Sequence, residues 1–174
     1  MPLWALCPVT AASRLSPDRA PGPRSVHRAA GPSDGTVCWP RVYPSRVPLK
    51  NILVVDDDPD IRRIATLSLE RVGGFRVALA ASAEDALAQA ALQLPDLVLL
   101  DVSMPGTDGP ATLALLRAQP ATERVPVIFF TATASADEVQ RLCALGAAGV
   151  ISKPFDLMAL PARVRDIFSV AGLQ

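Results

Sequence analysis

Short apolar runs alternate with amphipathic segments from residue 51 to residue 170. A run such as 97–100, with four apolar residues and no alternation, is typical of a strand that is buried on both faces of a parallel sheet. The runs predict strands at 51–55, 75–80, 96–101, 125–131 and 149–152. The segments between them, and the one after the last strand, predict five helices with start and stop signals at Pro59, Gly73, Ser82, Ser135 and Gly146. Strands that alternate with helices predict an α/β domain with a doubly wound, parallel five-stranded sheet.

The first 48 residues differ in character from the rest of the chain. They hold nine of the 17 prolines and show no helical or strand period. Such a composition buries too little apolar surface to offset the entropy of ordering, so we predict a disordered Pro/Arg-rich tail at 1–48 and one folded domain at 49–174. Three interpretations of the tail stay open: a basic arm for an acidic partner, an inert extension and a misassigned start.

Charge separates the two parts in the same way. Residues 1–50 carry seven basic and two acidic side chains, whereas residues 51–174 carry ten basic and fifteen acidic ones. An acidic folded part argues against a nucleic-acid surface. No apolar run approaches the length of about 18 residues that a membrane span requires, and the N-terminus lacks the pattern of a signal peptide. We therefore expect a cytoplasmic protein with no membrane contact.

Polar residues stand where four of the predicted strands end. Asp56 and Asp57 follow the first strand, Asp101 ends the third, Thr131 ends the fourth and Lys153 follows the fifth. Parallel strands place their carboxyl ends at one edge, which is where open α/β sheets bind ligands. The pattern therefore predicts that these five side chains meet in one crevice.

Three carboxylates in one crevice repel one another, and a divalent cation relieves that repulsion. With oxygen ligands and no His or Cys nearby, a hard ion is expected, and Mg²⁺ suits a phosphate site. We predict Asp57 and Asp101 as direct ligands, Asp56 as a ligand either direct or through a water, and the backbone carbonyl of Ser103 as a further oxygen.

The other two polar residues suit a phosphoryl group. The Lys153 ammonium is a compact positive charge for a phosphoryl oxygen, and the Thr131 hydroxyl is a hydrogen-bond donor. Phosphoryl transfer needs little beyond positioning and charge neutralisation. We therefore predict that Asp101 is the nucleophile that accepts the phosphoryl group.

These residues resemble the receiver domain of two-component response regulators over about residues 50–172. The resemblance rests on four segments in the family's order and spacing: VVDD at 54–57, LLDVSMPG at 99–106, FTA at 130–132 and KPF at 153–155. It implies a flavodoxin-like fold and Mg²⁺-dependent phosphoryl transfer to Asp101 from a sensor histidine kinase or histidine phosphotransfer protein. The chain departs from the family at Val150, where Tyr or Phe is frequent.

Two other functions are compatible with the same residues. One is a phosphorylation-independent protein-interaction module with the receiver fold, and the other is a stand-alone phosphohydrolase with an aspartate nucleophile. The presence of all the chemistry residues favours a phosphorylated switch over the interaction module. The phosphohydrolase ranks last, because the sequence shows no substrate domain and no obvious second acid or base. We therefore expect a switch that phosphorylates and dephosphorylates itself rather than a turnover enzyme. Because the sequence ends soon after the last helix, we expect output through a downstream protein partner or a phosphorelay.

Overall fold

The computed structural model describes residues 48–170, so the predicted tail, apart from Pro48, and the last four residues lie outside the described residues. Strands and helices alternate in the order β1 (Asn51–Val55), α1 (Pro59–Leu67), β2 (Arg76–Ala80), α2 (Ala83–Leu92), β3 (Leu97–Asp101), α3 (Gly109–Ala118), β4 (Val127–Thr131), α4 (Ala136–Ala144), β5 (Gly149–Ser152) and α5 (Leu160–Val170). Each predicted strand and helix is present in this part of the chain, with ends that differ by a residue or two.

The five strands form one sheet in the order β2-β1-β3-β4-β5, and every neighbouring pair is parallel. This confirms the predicted flavodoxin-like fold. The connections run outward in opposite directions from β1 and β3, so the carboxyl ends of these two strands flank the point where an open α/β sheet has its crevice. Asp101, the last residue of β3, therefore lies at the sheet edge where ligands are expected.

Alternate strand residues point to two separate hydrophobic clusters, one on each face of the sheet. Phe129 on β4 belongs to the cluster covered by α2, α3 and α4, whereas Phe130 belongs to the cluster covered by α1 and α5. Both rings are fully buried. The sheet is thus the middle of three layers, and a strand packed on both faces holds the residue at its end firmly.

Side chains cap the starts of four helices. Asp58, Ser82, Asp108 and Ser135 each accept a hydrogen bond from a backbone N–H in the first turn of α1, α2, α3 and α4, respectively. This confirms the helix starts predicted at Ser82 and Ser135. The helices are short, and within residues 48–170 none has both the length and the apolar character needed to cross a membrane.

The end of α1 departs from the regular helix that the sequence predicts. The turn that continues α1, Ser68–Val72, is π-helical, and it stops before Gly73 as expected. Ser68 is fully buried and its hydroxyl donates to the carbonyl oxygen of Leu157, in the loop that leads to α5. The wider turn therefore coincides with a hydrogen bond between α1 and the β5–α5 loop, which local sequence does not reveal.

The strand β4 starts two residues later than predicted. Pro126 lacks an N–H and cannot donate to the ladder, although its carbonyl accepts from the backbone N–H of Val98 at 2.9 Å. The apolar run at 125–131 thus includes two residues that precede the strand.

Candidate functional site

The structure brings four of the predicted residues together at the carboxyl ends of β1, β3 and β5. Carboxylate oxygens of Asp56, Asp57 and Asp101 all lie within 4.8 Å of one another. Asp56 and Asp101 are buried, whereas Asp57 is exposed. Lys153, which follows β5 directly, reaches across the sheet edge to this acidic cluster.

The Lys153 ammonium bridges the two buried carboxylates. Its Nζ atom lies 2.5 Å from Oδ2 of Asp56 and 2.7 Å from Oδ1 of Asp101. The Lys153 side chain is only 17% exposed, so these ion pairs are shielded from water on most sides. One side chain therefore ties the ends of β1, β3 and β5 together.

Backbone amides hold the other oxygen of each buried carboxylate. Oδ1 of Asp56 accepts from the Asp58 N–H at 3.0 Å, and Oδ2 of Asp101 accepts from the Ser103 N–H at 3.0 Å. Both carboxylates are thus fixed by one ammonium and one amide each. A carboxylate oxygen carries two lone pairs, so each of these oxygens can still accept a further donor or bind an ion.

Burial sets the electrostatics of this site. Burial raises the pKa of Asp56 above its usual range, and the hydrogen bond from Lys153 offsets this only in part. For Lys153, burial lowers the pKa, but the hydrogen bonds to Asp101 and Asp56 outweigh it and raise the pKa above its usual range. Lys153 is therefore an ammonium ion at neutral pH, and its one positive charge lies beside a cluster of three carboxylates.

The donor set fits Mg²⁺. All three clustered ligands are carboxylate oxygens, which are the donors that hard divalent cations prefer. A divalent cation would also balance the charge that Lys153 leaves uncompensated. Ser103, whose carbonyl the sequence suggested as a further ligand, lies two residues beyond Asp101 in the exposed β3–α3 loop.

Thr131 ends β4 as predicted, but its hydroxyl faces its own loop. The hydroxyl donates to the carbonyl oxygen of Thr133 at 2.9 Å and accepts from the Thr133 N–H at 3.1 Å. Beside it lies a cleft of about 440 Å³, which is lined by Val102, Ser103, Thr131, Ala132, Thr133, Ser135, Asp137, Glu138 and Arg141. Thr131 therefore stands between the crevice and an open space along the start of α4.

Sequence reasoning did not single out Arg62. Its Nη1 atom donates to the backbone carbonyls of Asp56 at 2.6 Å and Asp57 at 2.9 Å. The sequence does contain an indication of its role. A basic residue near the start of a helix interacts unfavourably with the helix dipole, so another contact must favour arginine at this position.

A close backbone contact supports the end of β3. The Gly109 N–H, at the start of α3, donates to the Val102 carbonyl at 2.9 Å. A Cβ atom at Gly109 would overlap the carbonyl oxygen of Asp101. Only glycine lets α3 begin this close to Asp101.

The strand and loop on either side of Lys153 also pack against the sheet. Val150, at the position where the family often has an aromatic residue, is fully buried in the cluster beneath α2, α3 and α4. Phe155 stacks on Phe130 with ring centroids 5.0 Å apart. The segment that carries Lys153 is therefore anchored on both faces of the sheet.

Known proteins are similar to this chain in sequence or in structure. Response regulator Rre1 of Synechocystis is 36% identical over 119 residues, which cover 68% of this chain and 52% of Rre1. Response regulator PleD of Caulobacter vibrioides is 41% identical over 67% of this chain and 25% of PleD. The structure of the chemotaxis response regulator CheY4 of Vibrio cholerae matches with a TM-score of 0.64 and 29% identity, over 69% of this chain and 99% of CheY4.

The match to these relatives covers about half of Rre1 and a quarter of PleD. Residues 52–165 match the response regulator receiver domain family, and this segment contains every residue of the acidic cluster together with Thr131 and Lys153. The chain therefore belongs to the receiver domain family of two-component response regulators.

Proposed function

We propose that this receiver domain is a phosphorylation switch in which the Asp101 carboxylate accepts a phosphoryl group in a Mg²⁺-dependent reaction. The donor would be a phosphohistidine of a sensor histidine kinase or a histidine phosphotransfer protein. The observation that carries this proposal is the Lys153 bridge, which places an ammonium 2.7 Å from the Asp101 carboxylate beside two further acids. Such an arrangement suits phosphoryl transfer, in which cations neutralise the phosphoryl oxygens while a nucleophile is held in line with phosphorus.

The transfer step uses the chain's own groups. An oxygen of Asp101 attacks phosphorus, a new O–P bond forms, and the N–P bond of the phosphohistidine breaks with its electron pair going to the imidazole. Lys153 then balances charge on a phosphoryl oxygen instead of bridging two carboxylates. Burial of Asp101 strengthens these electrostatic contacts, because the local dielectric is low.

Asp56, Asp57 and Asp101 would hold Mg²⁺, with the Ser103 carbonyl as a further ligand. The ion, when bound, neutralises charge on the phosphoryl oxygens and helps to orient the group. The residues' own part is to supply hard oxygen donors, two of them buried and pre-oriented by Lys153 and backbone amides.

Thr131 supplies the link between the site and a partner surface. Its hydroxyl has one proton, which it now donates to Thr133, so a hydrogen bond to a phosphoryl oxygen requires that this bond is given up. The β4–α4 loop would then move beside the cleft at the start of α4. A ligand that prefers one of two states by a few kcal/mol suffices to shift such a loop.

We assign the chain to switching rather than turnover, because the phosphoryl group stays on its own carboxylate until it is hydrolysed or passed on. Output would go to a downstream protein partner or along a phosphorelay in the cytoplasm. The acidic balance of residues 51–174 does not favour nucleic acid as that partner. The runner-up is a phosphorylation-independent interaction module with the same fold.

The test is phosphorylation by a small donor. Parent protein is incubated with phosphoramidate and Mg²⁺, and the added mass is mapped by mass spectrometry; we expect it on Asp101 alone. Asp101→Asn should lose the label, whereas Asp60→Asn, which removes a nearby exposed acid, should keep it. Full labelling of Asp101→Asn would refute the assignment, and an unlabelled parent that still folds would favour the interaction module.

A further inference from the structure

Arg62 is a side chain on α1 that binds backbone carbonyls of the acidic β1–α1 loop. The guanidinium reaches back from α1, as helical side chains do, and one nitrogen donates to two successive carbonyl oxygens. These carbonyls belong to Asp56 and Asp57. Arg62 itself is partly buried, and its neighbour Arg63 is exposed.

The two carbonyls that Arg62 binds lie on either side of one Cα atom. The carbonyl of Asp56 belongs to the peptide plane before the Asp57 Cα, and that of Asp57 belongs to the plane after it. Since peptide units are planar, fixing both planes fixes φ and ψ of Asp57. The direction in which the Asp57 carboxylate leaves the backbone is then fixed as well.

Asp57 is the acid that needs such support. The carboxylates of Asp56 and Asp101 are each held by Lys153 and a backbone amide. In residues 48–170, by contrast, no hydrogen bond or ion pair holds the Asp57 carboxylate, which is exposed. Its place in the cluster therefore depends on its backbone.

We propose that Arg62 is a positioning residue for the cation site, and that it acts by pinning the two peptide planes around Asp57. This inference rests on the proposed function, because it takes Asp57 to be a Mg²⁺ ligand. Within residues 48–170, Arg62 donates to carbonyl oxygens and to no carboxylate, so it can orient Asp57 without occupying a ligand atom of the acidic cluster.

The direction of the change in Mg²⁺ affinity distinguishes a positioning role of Arg62 from a simple effect of its charge. A positive charge near a cation site repels the cation. If charge were the only effect of Arg62, its removal should therefore tighten Mg²⁺ binding. Loss of positioning should instead weaken binding, because groups that orient metal ligands are worth about tenfold or more in affinity. Arg63 is the matched control, since it carries the same charge one residue further along α1.

The experiment measures Mg²⁺ affinity by calorimetry for the parent, Arg62→Met and Arg63→Met, all as the full chain. We expect Arg62→Met to bind Mg²⁺ about tenfold more weakly, and Arg63→Met to stay within about twofold of the parent or to bind slightly more tightly. With phosphoramidate, Arg62→Met should need about tenfold more Mg²⁺ for half-maximal labelling but reach a near-parent rate at saturating Mg²⁺. Arg62→Gln, which is neutral and too short for both carbonyls, serves if Arg62→Met does not fold, and the same loss is expected.

Equal or tighter Mg²⁺ binding by folded Arg62→Met or Arg62→Gln overturns the inference, as does an equal loss in Arg63→Met. A variant whose maximal labelling rate falls while its Mg²⁺ requirement is unchanged also overturns it, because Arg62 would then act on chemistry and not on the cation site. These outcomes differ from failure of the proposed function, in which the parent protein itself neither binds Mg²⁺ nor accepts the phosphoryl group.

Discussion

Replacing Lys153 with methionine tests how much the acidic cluster depends on its single ammonium. Methionine keeps a long, unbranched side chain but removes the charge that lies 2.5 Å from Asp56 and 2.7 Å from Asp101. Both side chains are nearly inaccessible to water, with 1% exposure for Asp56 and 7% for Asp101. The variant therefore leaves two buried carboxylates close to each other with only backbone amides as partners.

The structure sets the size of the effect. Removing one partner of a buried ion pair costs about 3–5 kcal/mol, because the remaining charge is buried without compensation. Lys153 is 17% exposed, and water can enter where the ammonium stood, so we expect a smaller cost than this range, about 2–3 kcal/mol at neutral pH. For a domain of this size, that corresponds to a fall in melting temperature of about 6–12 °C. The raised pKa of Lys153 means that its contribution is fully present below its ordinary value of 10.5, so neutral pH measures all of it.

The assay is thermal unfolding by circular dichroism, without and with Mg²⁺. Lys50→Met is the control, because Lys50 is exposed and no bond to its side chain is present in the described structure. Mg²⁺ should raise the melting temperature of Lys153→Met more than that of the parent, since the ion binds the folded state and no ammonium competes for the same oxygens. A variant as stable as the parent would refute the reasoning, because the cost of burying the ammonium would then cancel what it contributes.

Two further substitutions test neighbouring parts of the site. Asp57→Asn should abolish Mg²⁺ binding in calorimetry yet raise the metal-free stability by up to about 1 kcal/mol, because it removes one of three carboxylates that repel one another. A metal-free variant less stable than the parent would contradict this. Gly109→Ala should lower the free energy of unfolding in urea by about 1–3 kcal/mol, because its Cβ would overlap the Asp101 carbonyl oxygen; an unchanged midpoint would show that α3 moves away at no cost.

The sequence predicted the fold well because its signals are local. Unbroken apolar runs such as 97–100 mark strands buried on both faces, and caps such as Ser82 and Ser135 mark where helices begin. The right-handed crossover rule then restricts how parallel strands are ordered. Together these signals suffice to bring Asp56 and Asp101 to one edge of the sheet.

Other features of the site depend on choices that the sequence leaves open. The Thr131 hydroxyl has several acceptors within reach, and its bond with Thr133 is a matter of loop conformation. The π-helical turn at Ser68–Val72 coincides with a contact to Leu157, which lies 89 residues beyond Ser68. Contacts of this kind follow from packing, so periodicity and caps do not reveal them.

Arg62 illustrates most clearly the difference between features that local sequence predicts and features that depend on packing. The charges in the sequence identify an acidic loop, and the apolar pattern identifies α1. Neither predicts that a guanidinium on the helix donates to the carbonyls five and six residues earlier. That contact divides the acids into two groups: Asp56 and Asp101 are held through their carboxylates, whereas Asp57 is held through its backbone. The division has a chemical consequence, because a carboxylate held by Lys153 must share its oxygens when a cation or phosphoryl group arrives. A carboxylate held only through its backbone keeps all its lone pairs, so Asp57 can meet an incoming cation without first giving up a bond.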